Sequence, residues 1–297
     1  MSRRGLLLFV AMCVIWGIPY LFIRIAVGGL SPATLVFMRT GLAALVLVPV
    51  ALSRGDLRAV LAKWRPLLAF AIAEIGVPWF FLASAEQHIS SSLAGLLIAA
   101  VPLVGTVITF GLGNRDRIGA ATVAGLLLGV VGVTAIVGFD LHASSWIALL
   151  EVGLVVVGYA AGPAILARHL NGLSSVSVTA FSLAICAIAY APVAALQWPP
   201  STPHADVIAS VVVLALVCTA LAFLLFFALI AEIGPVRATV ITYINPAVAA
   251  ALGIAVLGET FTTGMGAGFV LVLLGSALAT YRAPAEPART AAEELVR

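Results

Sequence analysis

Two ionisable residues stand deep inside long apolar runs, and they carry the sharpest chemistry in this sequence. Glu74 lies about ten residues into the third run, within Ala71-Ile72-Ala73-Glu74-Ile75-Gly76-Val77-Pro78. Arg39 lies in the second, within Phe37-Met38-Arg39-Thr40. A charge at the centre of a spanning helix costs roughly 2.5–3.5 kcal/mol on insertion scales, so such a residue faces the protein interior and finds a partner or a proton. A carboxyl held out of water favours its neutral form, which suits a proton-coupled or cation-recognising site at Glu74. Arg39 then serves as counter-charge or as a ligand for a carboxylate. The same two residues would equally serve as an ion pair pinning the second and third helices. Glu151, about five residues into the sixth run, either joins this interior chemistry or reaches the outer interface. Arg24 and Arg237 fall near helix ends, where long side chains snorkel towards water.

Aromatic and amide side chains would shape a cavity around these charges. Trp16 and Tyr20 lie one turn apart on the first helix, and Trp79, Tyr159, Tyr243 and Asn245 follow in later helices. Aromatic rings in membrane helices also serve as packing or as an interfacial belt. Asn245 differs, because an amide at mid-depth requires hydrogen-bond partners. Prolines inside helices free the carbonyl four residues back. Pro102 frees Ile98, Pro246 frees Thr242, Pro163 frees Tyr159, Pro78 frees Glu74 and Pro19 frees Ile15. In lipid those carbonyls must be satisfied by protein or by cavity water. The fourth and ninth helices are expected to bend at equivalent heights at Pro102 and Pro246.

The elements that must position these residues follow from composition. The chain is 63% hydrophobic and 9% charged, far more apolar than a soluble domain. Its apolar runs are continuous, which points to spanning helices and not to barrel strands. Ten runs are long enough, near 5–27, 32–52, 65–85, 91–112, 118–138, 146–168, 174–196, 207–230, 235–257 and 263–281. The expected class is an all-α integral membrane protein with ten transmembrane helices. Arg3 and Arg4 precede the first run as they would in a secretory signal, but the run continues to Ala26 with no small-residue cleavage site. Cys13, Cys186 and Cys218 fall in separate helices and read as small buried hydrophobes.

Basic residues favour cytoplasmic loops. With the N-terminus inside, the inner loops carry Arg54, Arg58, Lys63 and Arg65, then Arg115 and Arg117, then Arg168, and finally Arg282, Arg289 and Arg297. The outer loops carry Glu86, Asp140, Asp206 and Glu259, with Arg24 the exception at a helix end. Both termini are therefore expected in the cytoplasm. The net charge of +3 reflects this orientation and calls for no nucleic-acid partner.

The chain also repeats itself. A shift of 144 places Pro102 on Pro246 and Ala94 on Ala238, and a shift of 143 places Asp116, Gly125 and Gly132 on Glu259, Gly268 and Gly275. Each half holds five helices, an odd number, so the second half must enter from the opposite side. Two five-helix inverted-topology repeats are expected, at 1–140 and 141–282, followed by a cytoplasmic tail at 283–297. Substrate sites in such folds lie near the midplane between the halves. Glu74 falls on Cys218 and Arg39 on about Phe181, so the second repeat supplies neither charge.

The fifth and tenth helices are lined by Gly119, Gly125, Gly129 and Gly132 and by Gly264, Gly268, Gly275 and Ser276. That spacing suits close helix packing, as a scaffold or as the face of a homodimer. Lys63 is the only lysine and no glycine flanks it, which excludes a phosphate-binding loop. His88, His142, His169 and His204 lack metal spacing, so neither metal nor cofactor is expected. No catalytic cluster is recognisable, which disfavours a membrane-embedded enzyme.

At several of these residues the chain resembles the drug/metabolite transporter superfamily, EamA type. The resemblance rests on Ile15-Trp16-Gly17 followed by Pro32 and Arg39, on Ser90 to Pro102 and Gly234 to Pro246, and on Leu257-Gly258-Glu259. It covers nearly all of residues 5–282. Where that family usually has Glu at the end of helix four, this chain has Asp116. The resemblance implies ten helices in inverted repeats, a central cavity, and frequently export of amino acids or other small metabolites across the inner membrane. Proton-coupled uptake is the alternative direction.

Overall fold

The computed structural model describes residues 1–53, 55, 57–111, 119–138 and 146–280. Among them every regular element is helical. Nine helices among the described residues are long and apolar enough to cross a membrane: α1 Arg3–Ala26, α2 Pro32–Ser53, α3 Trp64–Ala85, α4 Ser91–Gly111, α5 Ala120–Gly138, α6 Trp146–His169, α7 Ser175–Leu196, α8 Ala205–Ile233 and α10 Thr263–Thr280. Between the last two lies a shorter apolar helix, α9, Ile241–Leu257. Of the charges that suggested an orientation, Arg54, Arg115, Asp116, Arg117, Asp140, Arg282, Arg289 and Arg297 lie outside the described residues, as does the expected tail at 283–297.

The ninth run begins later than its hydropathy suggests. A one-turn helix spans Pro235–Ala238, and the regular helix starts only at Ile241. The intervening turn is tightened: Thr242 N donates to Thr239 O at 3.0 Å and Tyr243 N to Val240 O at 3.1 Å. Thr239 and Val240 are β-branched, and Pro246 withholds the donor that would complete the next turn. α1 is likewise interrupted, at Trp16–Ile18, and resumes with Pro19 as its first helical residue.

The helix pairings are symmetric under exchange of the two halves. α2 packs on α7, α4 on α9 and α5 on α10, while α3 packs on α6 as α8 packs on α1. Replacing each helix by the one five places along returns the same set. The α5–α10 contact is the tightest, because glycines let the backbones touch. A methyl group at Gly125 would meet Gly275 O at 2.6 Å, and one at Gly268 would meet Gly132 O at 2.6 Å. Gly125, Gly129, Gly132, Gly268 and Gly275 are therefore used within the chain, whereas a methyl group at Gly119 would meet nothing within 4 Å.

Polar contacts tie helix ends together. Ser2 accepts from Gly5 N at 2.9 Å as the N-cap of α1 and donates to Glu232 near the end of α8. At the other end of the bundle Thr34 Oγ1, at the start of α2, donates to Gln197 O at the end of α7 at 3.4 Å. There too Ser84 Oγ, near the end of α3, donates to Glu151 Oε1 of α6 at 2.7 Å.

Candidate functional site

Two helices are locally underwound, and at equivalent places. α3 forms a π-helical stretch over Ala71–Gly76 and α8 one over Val213–Leu221. The repeat shift of 144 carries 71–76 onto 215–220, inside the second stretch. In α3 the cause is Pro78, which cannot donate to the carbonyl of Glu74. In α8 the Thr219 hydroxyl donates to Leu214 O, five residues back, at 2.8 Å, and so occupies a carbonyl of the widened turn. Single π turns inside α-helices are frequent at functional sites.

Glu74 sits within the first of these stretches. It is half-buried, and its Oε2 is fully enclosed without a hydrogen-bond partner. The carboxyl lies against Gly162 of α6, where a methyl group would overlap it. Gly158, one turn earlier, makes the same close approach: a methyl there would stand 2.5 Å from Ala73 O and 2.7 Å from the Pro78 ring. The two glycines bring the backbone of α6 onto the widened turn.

Arg39 does not pair with Glu74. Its side chain is 6% exposed, its Nε donates to Thr219 Oγ1 at 3.0 Å, and its guanidinium lies 3.6 Å from the centre of the Trp79 ring. The expected ion pair is replaced by a hydrogen bond and a cation–π contact, which tie α2 to the π stretch of α8 and to α3. Tyr159 of α6 packs against the apolar cluster that contains Trp79, and Tyr159, Tyr20 and Cys218 lie within electrostatic range of Arg39. Cys218 is the residue onto which the repeat carries Glu74. The structure thus gathers Arg39, Trp79 and Tyr159, three of the residues the sequence singles out, and adds Tyr20 and Thr219. Thr219 carried no signal in the sequence, being one hydroxyl in an apolar run.

Trp16 and Asn245 belong to a neighbouring cluster. Trp16 packs on Phe226 and Phe223 of α8, with ring centres 4.6 and 5.8 Å apart. Asn245 is 8% exposed, and with its amide turned to suit the two carbonyls around it, the nitrogen donates to Ile241 O and, across the helix interface, to Cys13 O, both at 2.9 Å. At the break in α1 Gly17 N turns to Val14 O, and Asn245 satisfies the Cys13 carbonyl that this leaves. Tyr243 is half-buried two residues earlier on the same helix.

The prolines differ in their effects. Ahead of Pro102, Ala99 N and Ala100 N donate to Leu96 O and Leu97 O at 3.2 and 3.1 Å, and α4 is interrupted at those residues. Ahead of Pro246 the equivalent tightening lies at Thr242 and Tyr243, within one residue of the shift of 144, but the interruption falls a turn earlier. Pro163 lies inside an unbroken α6.

At the Ser84–Glu151 end of the bundle the charges expected in loops are in fact engaged. Glu86 is completely buried rather than looped into solvent, because it directly follows α3 and sits beneath the turn to α4. Arg24 is half-buried and donates to the main-chain carbonyl of Glu86, so it does not snorkel outward. Glu259 accepts from Ser91 N and Ser92 N at 2.8 Å each and from Ser92 Oγ at 2.5 Å, a carboxylate on the positive end of α4. Among the described residues no group of His, Cys, Asp or Glu is arranged to hold a metal.

Comparison with known proteins gives this geometry its setting. A model of the EamA-like transporter family matches the chain twice, over residues 3–138 and 146–281. The inner membrane transporter YedA of Escherichia coli K12, described as uncharacterized, is 27% identical over 258 residues, covering 85% of this chain and 82% of its own. The transporter YvbV of Bacillus subtilis 168, also described as uncharacterized, is 24% identical over 296 residues, covering 97% and 95%. A solved crystal structure shares the fold with a TM-score of 0.66 at 21% identity, covering 94% of this chain and 97% of its own.

Proposed function

Since the chain belongs to the EamA-like transporter family, we propose that it is a secondary active transporter of the inner membrane. It exports a small metabolite, an amino acid or a related amphipathic compound, by alternating access. The placement in the inner membrane is supported by the name of the Escherichia coli relative. In this reading the repeats 1–140 and 141–282 have inverted topology and rock about a midplane site. Both termini, with the tail at 283–297, face the cytoplasm.

The observation that carries the reading is the interior site itself. Glu74 has an enclosed, unpartnered carboxyl oxygen, and Arg39 is a buried base held by Thr219 and Trp79, with no ion pair to an acid among the described residues. Two opposite charges kept apart in a dry interior suit a substrate that carries an amine and a carboxylate, or a proton at Glu74 and an anionic group at Arg39. Trp79 and Tyr159 supply the apolar wall, and Trp16, Tyr243 and Asn245 flank it on α1 and α9. The matched π stretches of α3 and α8 give each half a deformable segment at the level of the site. Proton-coupled uptake is the second reading, favoured by the unpartnered Glu74 oxygen.

The test is a metabolite profile of the medium around cells producing the wild type or Glu74→Gln at equal membrane abundance. A compound enriched outside only with the wild type identifies the substrate and supports export through Glu74. Depletion of a compound from the medium by the wild type alone points to uptake. Equal profiles from two correctly inserted proteins would sink the assignment of Glu74.

A further inference from the structure

Glu86 carries no role in the transport reading above, yet it is the most thoroughly enclosed acid among the described residues. None of its surface is exposed, and neither carboxyl oxygen has a hydrogen-bond partner. The base beside it, Arg24, gives its N–H to the Glu86 main-chain carbonyl and not to the carboxyl. Glu86 also caps the C-terminal end of α3, the negative end of the helix dipole. Glu259 stands near it in the opposite condition, with three donors from the start of α4. The ionisable groups facing Glu86 are Glu259 from the α9–α10 turn, Arg24 and Tyr20 from α1, Arg39 from α2 and Tyr159 from α6. His88, two residues on, is exposed.

We propose that Glu86 is a second proton-binding site, separate from Glu74, whose protonated form seals the ends of α1, α3, α4 and α9 and whose deprotonation releases them. A carboxylate without donors in a dry interior is too unfavourable to persist, so the group takes up a proton. Burial holds the Glu86 carboxyl well above its ordinary range, and Glu259 pushes the same way, against Arg24 and Arg39. The sealed form therefore binds the proton more tightly than a form open to water. Acid favours sealing, and rising pH favours opening. On release the proton passes to water at that end, and water supplies the donors the carboxylate lacks. That this end faces outward rests on the proposed orientation; the proton site does not.

The test labels a cysteine placed at Ala83, which is 1% exposed and one turn below Glu86 on the same helix face. Purified Ala83→Cys protein in detergent is treated with a water-soluble maleimide across a pH series, and rates are normalised to His204→Cys, an exposed position. The native cysteines are buried, and the unsubstituted protein gives the background. The expected result is a normalised rate at least about tenfold higher at alkaline than at acid pH, as the linked proton is lost. Adding Glu86→Gln should hold the rate at its slow level throughout. Adding Glu259→Gln should move the midpoint to lower pH, and this variant decides the matter if Glu86→Gln does not fold. Adding Glu74→Gln should leave the pH step in place. A flat profile without the added changes, a pH step that survives Glu86→Gln, an unmoved midpoint with Glu259→Gln, or loss of the step with Glu74→Gln would overturn the proposal. The assay needs no substrate, so its failure leaves the transport reading standing.

Discussion

The carboxyl of Glu74 rests on the backbone of Gly162, one residue before Pro163 of the facing helix. This contact joins the widened turn of α3 to the first helix of the second half, so the buried acid lies at a boundary between halves.

Replacing Gly162 with Ala puts a methyl group onto that carboxyl. Overpacking of this kind costs about 1–3 kcal/mol, and here it also displaces the acid. The expected outcome is a lowered melting temperature in detergent with loss of transport. Gly153→Ala in the same helix, where a methyl meets nothing within 4 Å, should behave as wild type. Full transport by Gly162→Ala would show that the close approach is dispensable.

Arg39→Lys should fail despite keeping the charge. A lysine ammonium cannot reproduce the planar stack on Trp79 together with the Nε bond to Thr219. Once a substrate is identified, transport kinetics should show a KM raised by about tenfold or more, equivalent to about 1.4 kcal/mol. An unchanged KM would remove Arg39 from substrate recognition.

Asn245 bonds the interrupted part of α1 to α9 by donating to Cys13 O. Asn245→Asp has the same shape but no donor while ionised, and Asn245→Leu fills the space without any polar group. Each leaves the Cys13 carbonyl unpaired, at about 1–3 kcal/mol. Thermal unfolding should place both variants below wild type, with Asp the lower because it adds a buried acid. Wild-type stability in the Asp variant would mean that the amide is not the donor.

Glu259→Ala strips three donors of their acceptor at the start of α4. Stability should fall by about 1–3 kcal/mol, while Glu259→Gln, which still offers one oxygen, should fall less. Hydrogen exchange at the amides of Ser91 and Ser92 reads this directly: both should exchange faster in the Ala variant and stay protected in wild type.

The sequence carried the all-helical membrane class and the placement of nine of its ten apolar runs well because a spanning run leaves little choice of structure, and the interior positions of Glu74 and Arg39 followed from the cost of charge in lipid. What side chains do to each other was less legible. Glu74 and Arg39 looked like partners because their charges are opposite. The structure instead satisfies Arg39 with Trp79 and Thr219, the latter 180 residues away in sequence. Glu86 and Glu259 both looked like outer-loop acids, since charge in a loop normally means solvent. Only the packing of the α3–α4 turn separates a buried orphan from a helix cap. The start of α9 was misjudged because hydropathy does not register the tightened turn over Thr239–Tyr243. Of the two π stretches, only that in α3 had a visible cause, in Pro78.

A π stretch holds more chain than an α-helix of the same length would need. If it were to relax or migrate along α3, everything beyond it would turn by about 100° for each residue taken up. Trp79, Ala83 and Glu86 would swing together to a new side of the helix while the inner half kept its place. With a matching slack segment in α8, each half of the molecule carries its own swivel. A rotation in α3 redirects the wall of the interior site and the seal above it in a single movement.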